Sequence, residues 1–236
     1  MNRAISWMAA ASGVSGLVFL YLALIWSPPE QQMGDLVRIM YFHVASAWTG
    51  LVAFFVTFLA ALAVLLRNRP VWDVVSASSA EIGVVYTTLT LVSGSLWARP
   101  IWNTWWTWDP RLTTTLILWF LYVGYLLLRA TLAGVERRAR IAAAYAVVAF
   151  IDVPIIHLSV TWWRSIHPSV VDDTGFHMPM AMAGTLLFGF LAFFLWYLAL
   201  LGLRVRGALQ AMQLLQLGET IRRLHVRADL GTDRGR

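Results

Sequence analysis

Six stretches of the chain are long and apolar enough to cross a membrane as helices. A transmembrane helix needs about 20 predominantly apolar residues, and polar residues gather mainly between the qualifying stretches and after the last one. The stretches span residues 4–26, 39–66, 78–97, 112–130, 141–160 and 179–203. This pattern predicts an all-α fold, a polytopic membrane helix bundle with six transmembrane helices.

Composition supports a membrane protein and excludes several chemistries. Hydrophobic residues make up 59% of the chain and charged residues only 13%. In soluble domains, apolar residues average about 45–50% and charged residues about 25%. The chain has no Cys, which excludes disulfides, thiolate metal sites and thiol redox chemistry. The net charge of +6 comes mainly from residues in the loops between the apolar stretches and in the tail after the last one, so membrane topology explains it better than a nucleic-acid partner does.

The distribution of Arg predicts the orientation of the chain in the membrane. All 18 basic residues are Arg, and with a cytoplasmic N-terminus fourteen of them lie on the cytoplasmic side and four outside. Cytoplasmic loops carry an excess of positive charge, so both termini are predicted to be cytoplasmic. The membrane domain then spans 1–203 with outer loops at 98–111 and 161–178, and 204–236 forms a cytoplasmic Arg-rich tail.

The second outer loop is unusually rich in Trp. Five Trp occur within the 12 residues 97–108. Pro100 can open a helix, and Pro110 disfavours helix at the residue before it. The spacing therefore predicts a short amphipathic Trp-rich helix in this loop. One face of that helix is expected to carry Trp102, Trp105, Trp106 and Asp109, with Trp108 turned elsewhere.

Two interpretations of this loop are open. In an aromatic belt, Trp lies at the level of the lipid headgroups. A face of indoles beside Arg99 and Arg111 also suits a large, flat, apolar ligand with acidic substituents, because indoles stack on such a ligand and Arg pairs with carboxylates. Haem has this shape, and Arg164 in the third outer loop is a further candidate for its propionates.

Four of the five His residues are predicted to lie on the same outer side. They are His43, His157, His167 and His177. Imidazoles ligate haem iron, and two ligands that approach from opposite faces of the ring should come from separate elements. His43 and His167 meet this requirement, although the residues alone leave open which of the other three pairs with His43.

Two acidic residues lie within apolar stretches. Glu81 is near the inner end of the third stretch, and Asp152 lies inside the fifth, beside Pro154. Ionisable groups in membrane spans are costly and are often functional. Asp152 is a candidate for pairing with a His or Arg beneath the outer site, and the roles of both acids stay open.

The run from Trp102 to Thr113, WNTWWTWDPRLT, resembles the tryptophan-rich (WWD) signature of the haem-handling proteins of cytochrome c maturation. With six spans, the chain resembles the cytochrome c maturation protein C (haem exporter protein C) branch of that family. The resemblance implies a protein that binds haem b at the periplasmic face of the bacterial inner membrane and supports its transfer to a membrane-anchored periplasmic haem chaperone. It implies as further partners the permease and ATPase subunits of an ABC transporter and a small single-span accessory subunit.

The resemblance also assigns roles to residues. It implies His43 and His167 as the axial ligands of the haem iron, and it implies an aromatic platform for the porphyrin. The platform maps onto Trp102, Trp105, Trp106, Trp108 and Asp109. The chain departs from the family pattern at Asn103, where Gly is usual, and at Pro110, where Ala is common.

Two other functions share this signature. A haem lyase or synthetase subunit would attach haem to apocytochrome c, and a permease would export haem itself. The size of the chain argues against the first, because the larger family members carry more spans and extra domains. The absence of a clear inverted repeat in the sequence argues against the second. The preferred interpretation is haem binding and transfer by a membrane protein that is not an enzyme.

Overall fold

The computed structural model describes residues 3–67, 69–163, 165, 171–172, 175–176 and 178–233. Seven α-helices account for most of this part of the chain. They are α1 (Arg3–Tyr21), α2 (Val37–Arg67), α3 (Pro70–Trp102), α4 (Pro110–Thr131), α5 (Val135–Ala149), α6 (Asp152–Trp162) and α7 (Met180–Asp233). A π-helical turn, Leu22–Trp26, extends α1, and two short strands, β1 (Val171–Asp172) and β2 (Gly175–Phe176), pair antiparallel before α7.

Helices α2 and α3 form the centre of the bundle and pack along each other. On one side, α7 packs against α1, α2 and α3, and an apolar cluster there includes Phe19 of α1 and Phe193 of α7. On the other side, α4 packs on α3, α5 packs on α2, and α6 packs on α4. Phe54 of α2 stacks on Tyr122 of α4 there, with ring centroids 3.8 Å apart. We call the end of the bundle that carries residues 102–108 the Trp-rich end.

Six helical stretches among the described residues are long and apolar enough to span a membrane, which confirms the predicted polytopic all-α bundle. Several extend past the apolar stretches; α3 has 33 residues, whereas the stretch that predicted it covers 78–97. The extension is possible because polar side chains near its start are paired across helices. Asp73 forms an ion pair with Arg129 of α4, and the hydroxyls of Ser76 and Tyr125 lie 3.1 Å apart.

The fifth span is divided between α5 and α6, which residues 150–151 separate. Pro154 has no N–H to donate to the Phe150 carbonyl four residues earlier, and that carbonyl accepts from the N–H of Val153 instead, at 3.0 Å. Asp152 begins α6 and is buried, and its Oδ2 has no hydrogen-bond partner among the described residues.

Helix α7 continues from the sixth span to Asp233 without a break. The boundary predicted at residue 203 lies within this helix, so the division into a membrane domain and a tail stays a prediction. Next to that boundary, Arg204 forms an ion pair with Glu81 of α3. This pair gives Glu81 a partner, and the acid helps to hold α7 against α3.

Candidate functional site

A cavity of about 380 Å³ lies at the Trp-rich end, where α3 ends and α4 begins. Its volume is within the range of about 300–1,000 Å³ that is typical of ligand sites. The walls come from α2, α3, α4, α6 and the segment between α3 and α4, and most of the lining is apolar. The residues of the lining that carry polar or aromatic groups include His43, Trp48, Thr87, Thr90, Ser95, Trp97, Trp102, Trp106, Arg111, Thr115 and His157.

His43 of α2 is 9% exposed and contacts α3. Its Nδ1 lies 3.0 Å from the carbonyl oxygen of Thr90 and 3.2 Å from Oγ of Ser93. Because a carbonyl oxygen can only accept, Nδ1 carries the hydrogen and donates it to Thr90. In the neutral ring the lone pair is then on Nε2. Metal-ligating His rings are commonly oriented in this way, by donation from the other ring nitrogen to a backbone carbonyl.

Gly94 of α3 allows this close approach of the imidazole. A Cβ at position 94 would lie 2.9 Å from Cε1 and 3.4 Å from Nδ1 of His43. Any side chain here would therefore force the ring away from α3. Trp97, three residues further on, is buried and has its ring centroid 5.9 Å from that of His43.

Thr90, Gly94 and Trp97 were not among the predicted site residues. Their spacing of four and then three residues puts them on one face of α3, so the sequence does contain a signal that they belong together. It contains no signal that this face turns toward His43, because the rotation of α3 is set by its packing on α2.

The Trp-rich segment does not form the predicted short helix. Helix α3 continues through Pro100 to Trp102, and residues 103–109 are not helical. Asn103 ends α3 with φ of 54°, in the left-handed region that Gly adopts most easily and Asn tolerates better than most residues. The family's usual Gly and the Asn of this chain therefore suit the same backbone conformation.

Asp109 and Pro110 start a helix, and the prediction that they end one was wrong. Pro110 occupies the first turn of α4, and Oδ1 of Asp109 accepts the backbone N–H of Arg111 at 3.0 Å, as an N-cap residue does. The same Oδ1 accepts from the hydroxyl of Ser165 at 3.0 Å. Asp109 thus caps α4 and connects it to the segment after α6.

The Trp side chains separate into two pairs in the absence of that helix. Trp102 and Trp106 line the cavity, whereas Trp105 and Trp108 are 57% and 75% exposed. The predicted common face of Trp102, Trp105, Trp106 and Asp109 is therefore not formed. Among the described residues, Nε1 of Trp106 and of Trp97 is buried without a hydrogen-bond partner, and both residues line the cavity.

The Arg candidates also differ in position. Arg111 lines the cavity. Arg99 donates to Oδ1 of Asn103 and lies over the ring of Trp105, 5.9 Å from its centroid, and it is not among the residues that line the cavity. Arg164 lies outside the described residues. Within the described part of the chain, the guanidinium at the cavity is therefore that of Arg111.

His157 of α6 lines the same cavity as His43 and is exposed. His167 and His177 lie outside the described residues, so His167 as the partner of His43 stays a prediction. In the ranges that the structure describes, no cluster of three or more His, Cys, Asp or Glu could hold a metal ion.

The chain is similar to proteins of one family over most of its length. The family model described as Heme exporter protein C matches residues 1–217. The Heme exporter protein C of Bradyrhizobium diazoefficiens is 39% identical over 197 residues, 79% of this chain and 74% of the relative. That of Haemophilus influenzae is 34% identical over 189 residues, 76% and 77% of the two chains. A putative cytochrome c biosynthesis ccmC-like mitochondrial protein of Marchantia polymorpha is 35% identical over 176 residues, 74% and 75%. A match that covers this much of the chain, together with relatives this similar, shows that the chain belongs to the Heme exporter protein C family.

Proposed function

We propose that this chain binds haem in the cavity at the Trp-rich end and passes it to a membrane-anchored haem chaperone. Family membership gives the coarser part of this function, which is haem handling for cytochrome c biogenesis by a multi-pass membrane protein. We place the protein in the bacterial inner membrane. The Arg distribution favours a periplasmic position for the Trp-rich end and a cytoplasmic position for both termini. Haem is the cargo in this proposal.

The observation that carries the proposal is the orientation of His43. Its Nδ1 donates to the Thr90 carbonyl at 3.0 Å, which puts the lone pair of the neutral ring on Nε2, the atom that would ligate iron. The ring is held between Gly94 and Trp97. An imidazole oriented by donation to a backbone carbonyl is typical of metal-ligating His, and it suits an axial ligand to haem iron.

The rest of the lining fits haem as well. Trp102 and Trp106 provide apolar, flat surfaces for a porphyrin. The indole N–H groups of Trp97 and Trp106 are buried donors that a ligand with acceptor atoms would satisfy. Arg111 provides a guanidinium for a propionate.

The exposed Trp side chains supply a surface for transfer. Trp108 contacts Trp106 edge to face, with ring centroids 5.9 Å apart, so an aromatic surface continues from the cavity wall to the exterior. We propose that Trp105, Trp108 and the outer loop 161–178 contact the chaperone there. The permease and ATPase subunits of an ABC transporter and a small single-span subunit are the other proposed partners. Binding and transfer need no acid, base or nucleophile from this chain.

Haem titration of the purified chain tests the proposal and identifies the second axial ligand. The wild-type protein is expected to bind haem saturably with the absorption spectrum of a six-coordinate, low-spin complex. Family resemblance favours His167 as the partner of His43, whereas His157 lines the same cavity. We expect one of His157→Ala and His167→Ala to convert the spectrum to the five-coordinate form and the other to leave it unchanged. Absence of haem binding by a folded wild-type chain would refute the proposal.

Arg111→Gln is expected to weaken haem binding by about tenfold, because a charge-assisted pair with a propionate contributes about 1.5–3 kcal/mol. The spectrum of the bound form should stay low-spin, since the iron ligands are unchanged. Arg99→Gln is the matched control: it removes the same charge from the other end of the segment, where the side chain lies on Trp105. Equal losses of affinity in the two variants would contradict the assignment of Arg111.

A further inference from the structure

A second cavity, of about 710 Å³, lies at the opposite end of the bundle. The first part of α3, the end of α4, the first turns of α5 and the middle of α7 enclose it. None of its lining residues also lines the haem cavity. One wall is apolar, with Val74 on α3 and Leu203, Ala211 and Leu215 on α7. Leu215 is 71% exposed, so this wall has apolar surface still to be covered.

The other wall is charged, and four Arg contribute to it. They are Arg69, Arg129, Arg138 and Arg204. Two of the four are occupied within the protein, because Arg129 pairs with Asp73 and Arg204 pairs with Glu81. The remaining acid of the lining, Glu136, is exposed.

Arg69 and Arg138 are the two guanidiniums that remain for a ligand. Neither forms an ion pair with a described residue. Nε of Arg138 is buried without a hydrogen-bond partner among the described residues, which is costly for a charged group. A ligand that brings acceptor oxygens to Arg138 would remove this cost.

We propose that this cavity binds an anionic phospholipid, with its phosphate at Arg69 and Arg138 and an acyl chain along the apolar wall of α7. Guanidinium groups pair with phosphate oxygens in a bidentate geometry. Basic pockets between transmembrane helices on the cytoplasmic side are suited to anionic headgroups, and the Arg distribution predicts that this end is cytoplasmic. A free phosphate would satisfy the same two Arg but would leave the apolar wall exposed, so the lipid is the better fit.

Native mass spectrometry of the full-length chain in detergent tests this inference independently of haem. The delipidated protein is supplied with phosphatidylglycerol, with phosphatidylcholine, or with glycerol phosphate, which carries the head without the chains. We expect phosphatidylglycerol to bind most tightly, and Arg138→Gln to lower its affinity by about tenfold through loss of a charge-assisted pair. Arg140→Gln is the matched control, because Arg140 is two residues away, exposed and outside the lining.

Three results would overturn the proposal. The first is equal phosphatidylglycerol affinity in Arg138→Gln and Arg140→Gln, and the second is equal affinity for phosphatidylcholine and phosphatidylglycerol in the wild-type chain. The third is that glycerol phosphate saturates the cavity at the same concentration as phosphatidylglycerol does, which would indicate a site for phosphate alone. If Arg138→Gln does not fold, Arg69→Gln tests the same phosphate contact from an exposed position at the start of α3.

Discussion

His43→Ala is expected to lower the affinity for haem by about 100-fold and to remove the low-spin spectrum. Loss of an outer-shell partner of a metal ligand typically costs about 10–100-fold in affinity, and loss of the ligand itself should cost at least the upper value. The measurement is a haem titration followed by absorption spectroscopy. An unchanged spectrum and affinity in a folded His43→Ala protein would show that the iron is held elsewhere.

Two further variants separate ligation by His43 from a structural role. His43→Gly leaves space for exogenous imidazole, which should restore the low-spin spectrum if Nε2 is the ligand atom. A merely structural histidine would not give this rescue.

Gly94→Ala keeps the imidazole but introduces a Cβ that would lie 2.9 Å from its Cε1, so haem affinity should fall by about tenfold as for an outer-shell change. Gly184→Ala in α7 is the control, because a Cβ there meets nothing within 4 Å. A helix-interior Ala at that position should stabilise the protein slightly and leave haem binding unchanged.

Asp73→Asn is expected to lower the free energy of unfolding by about 3–5 kcal/mol, because it leaves the charge of Arg129 buried without its partner. The pair is bidentate, with N–O distances of 2.5 and 2.9 Å, and the side chains are only 10% and 13% exposed. The Arg129 guanidinium also lies over the ring of Tyr125 at 5.6 Å. Denaturant unfolding of the detergent-solubilised protein, followed by Trp fluorescence, provides the measurement.

A double-mutant cycle determines how much of this effect belongs to the pair. Arg129→Gln alone should destabilise the protein by a similar amount, and the double variant Asp73→Asn/Arg129→Gln should cost less than the two single changes together. Asp35→Asn removes an exposed pair with Arg38, in which the side chain of Asp35 is 76% exposed, and should cost less than about 1 kcal/mol. An equal effect of Asp73→Asn and Asp35→Asn would mean that burial does not strengthen the inner pair.

Most of the transmembrane architecture could be predicted from the sequence, but the helix ends could not. Hydropathy found all six spans, yet it stopped α3 where polar residues begin. The helix continues because Asp73 and Ser76 find partners on α4, and a window of sequence contains no information about those partners. The sequence indicated an amphipathic helix in the tail, but it did not show that this helix is continuous with the sixth span in α7.

The candidate site was predicted in part. His43, Trp102, Trp106 and Arg111 were predicted, and all four line one cavity. The prediction of a common helix face was wrong. Asn103 takes a left-handed conformation that ends α3, and residues 103–109 separate α3 from α4. Helical periodicity assumes that the chain stays helical, and it cannot detect this interruption.

The sequence by itself determined that the chain crosses the membrane six times, because the apolar content of each 20-residue stretch decides its transfer into lipid. It also brought His43 and the Trp-rich segment to the same end, since alternate loops of an up-and-down bundle share a side. Only the tertiary structure decided which atoms meet. The hydrogen bond from His43 to Thr90 and the close approach at Gly94 depend on how α2, α3 and α4 are rotated against one another. The same rotations leave the indole N–H groups of Trp97 and Trp106 without an acceptor among the described residues. Those rotations come from the packing of buried side chains across helices, which no single helix encodes.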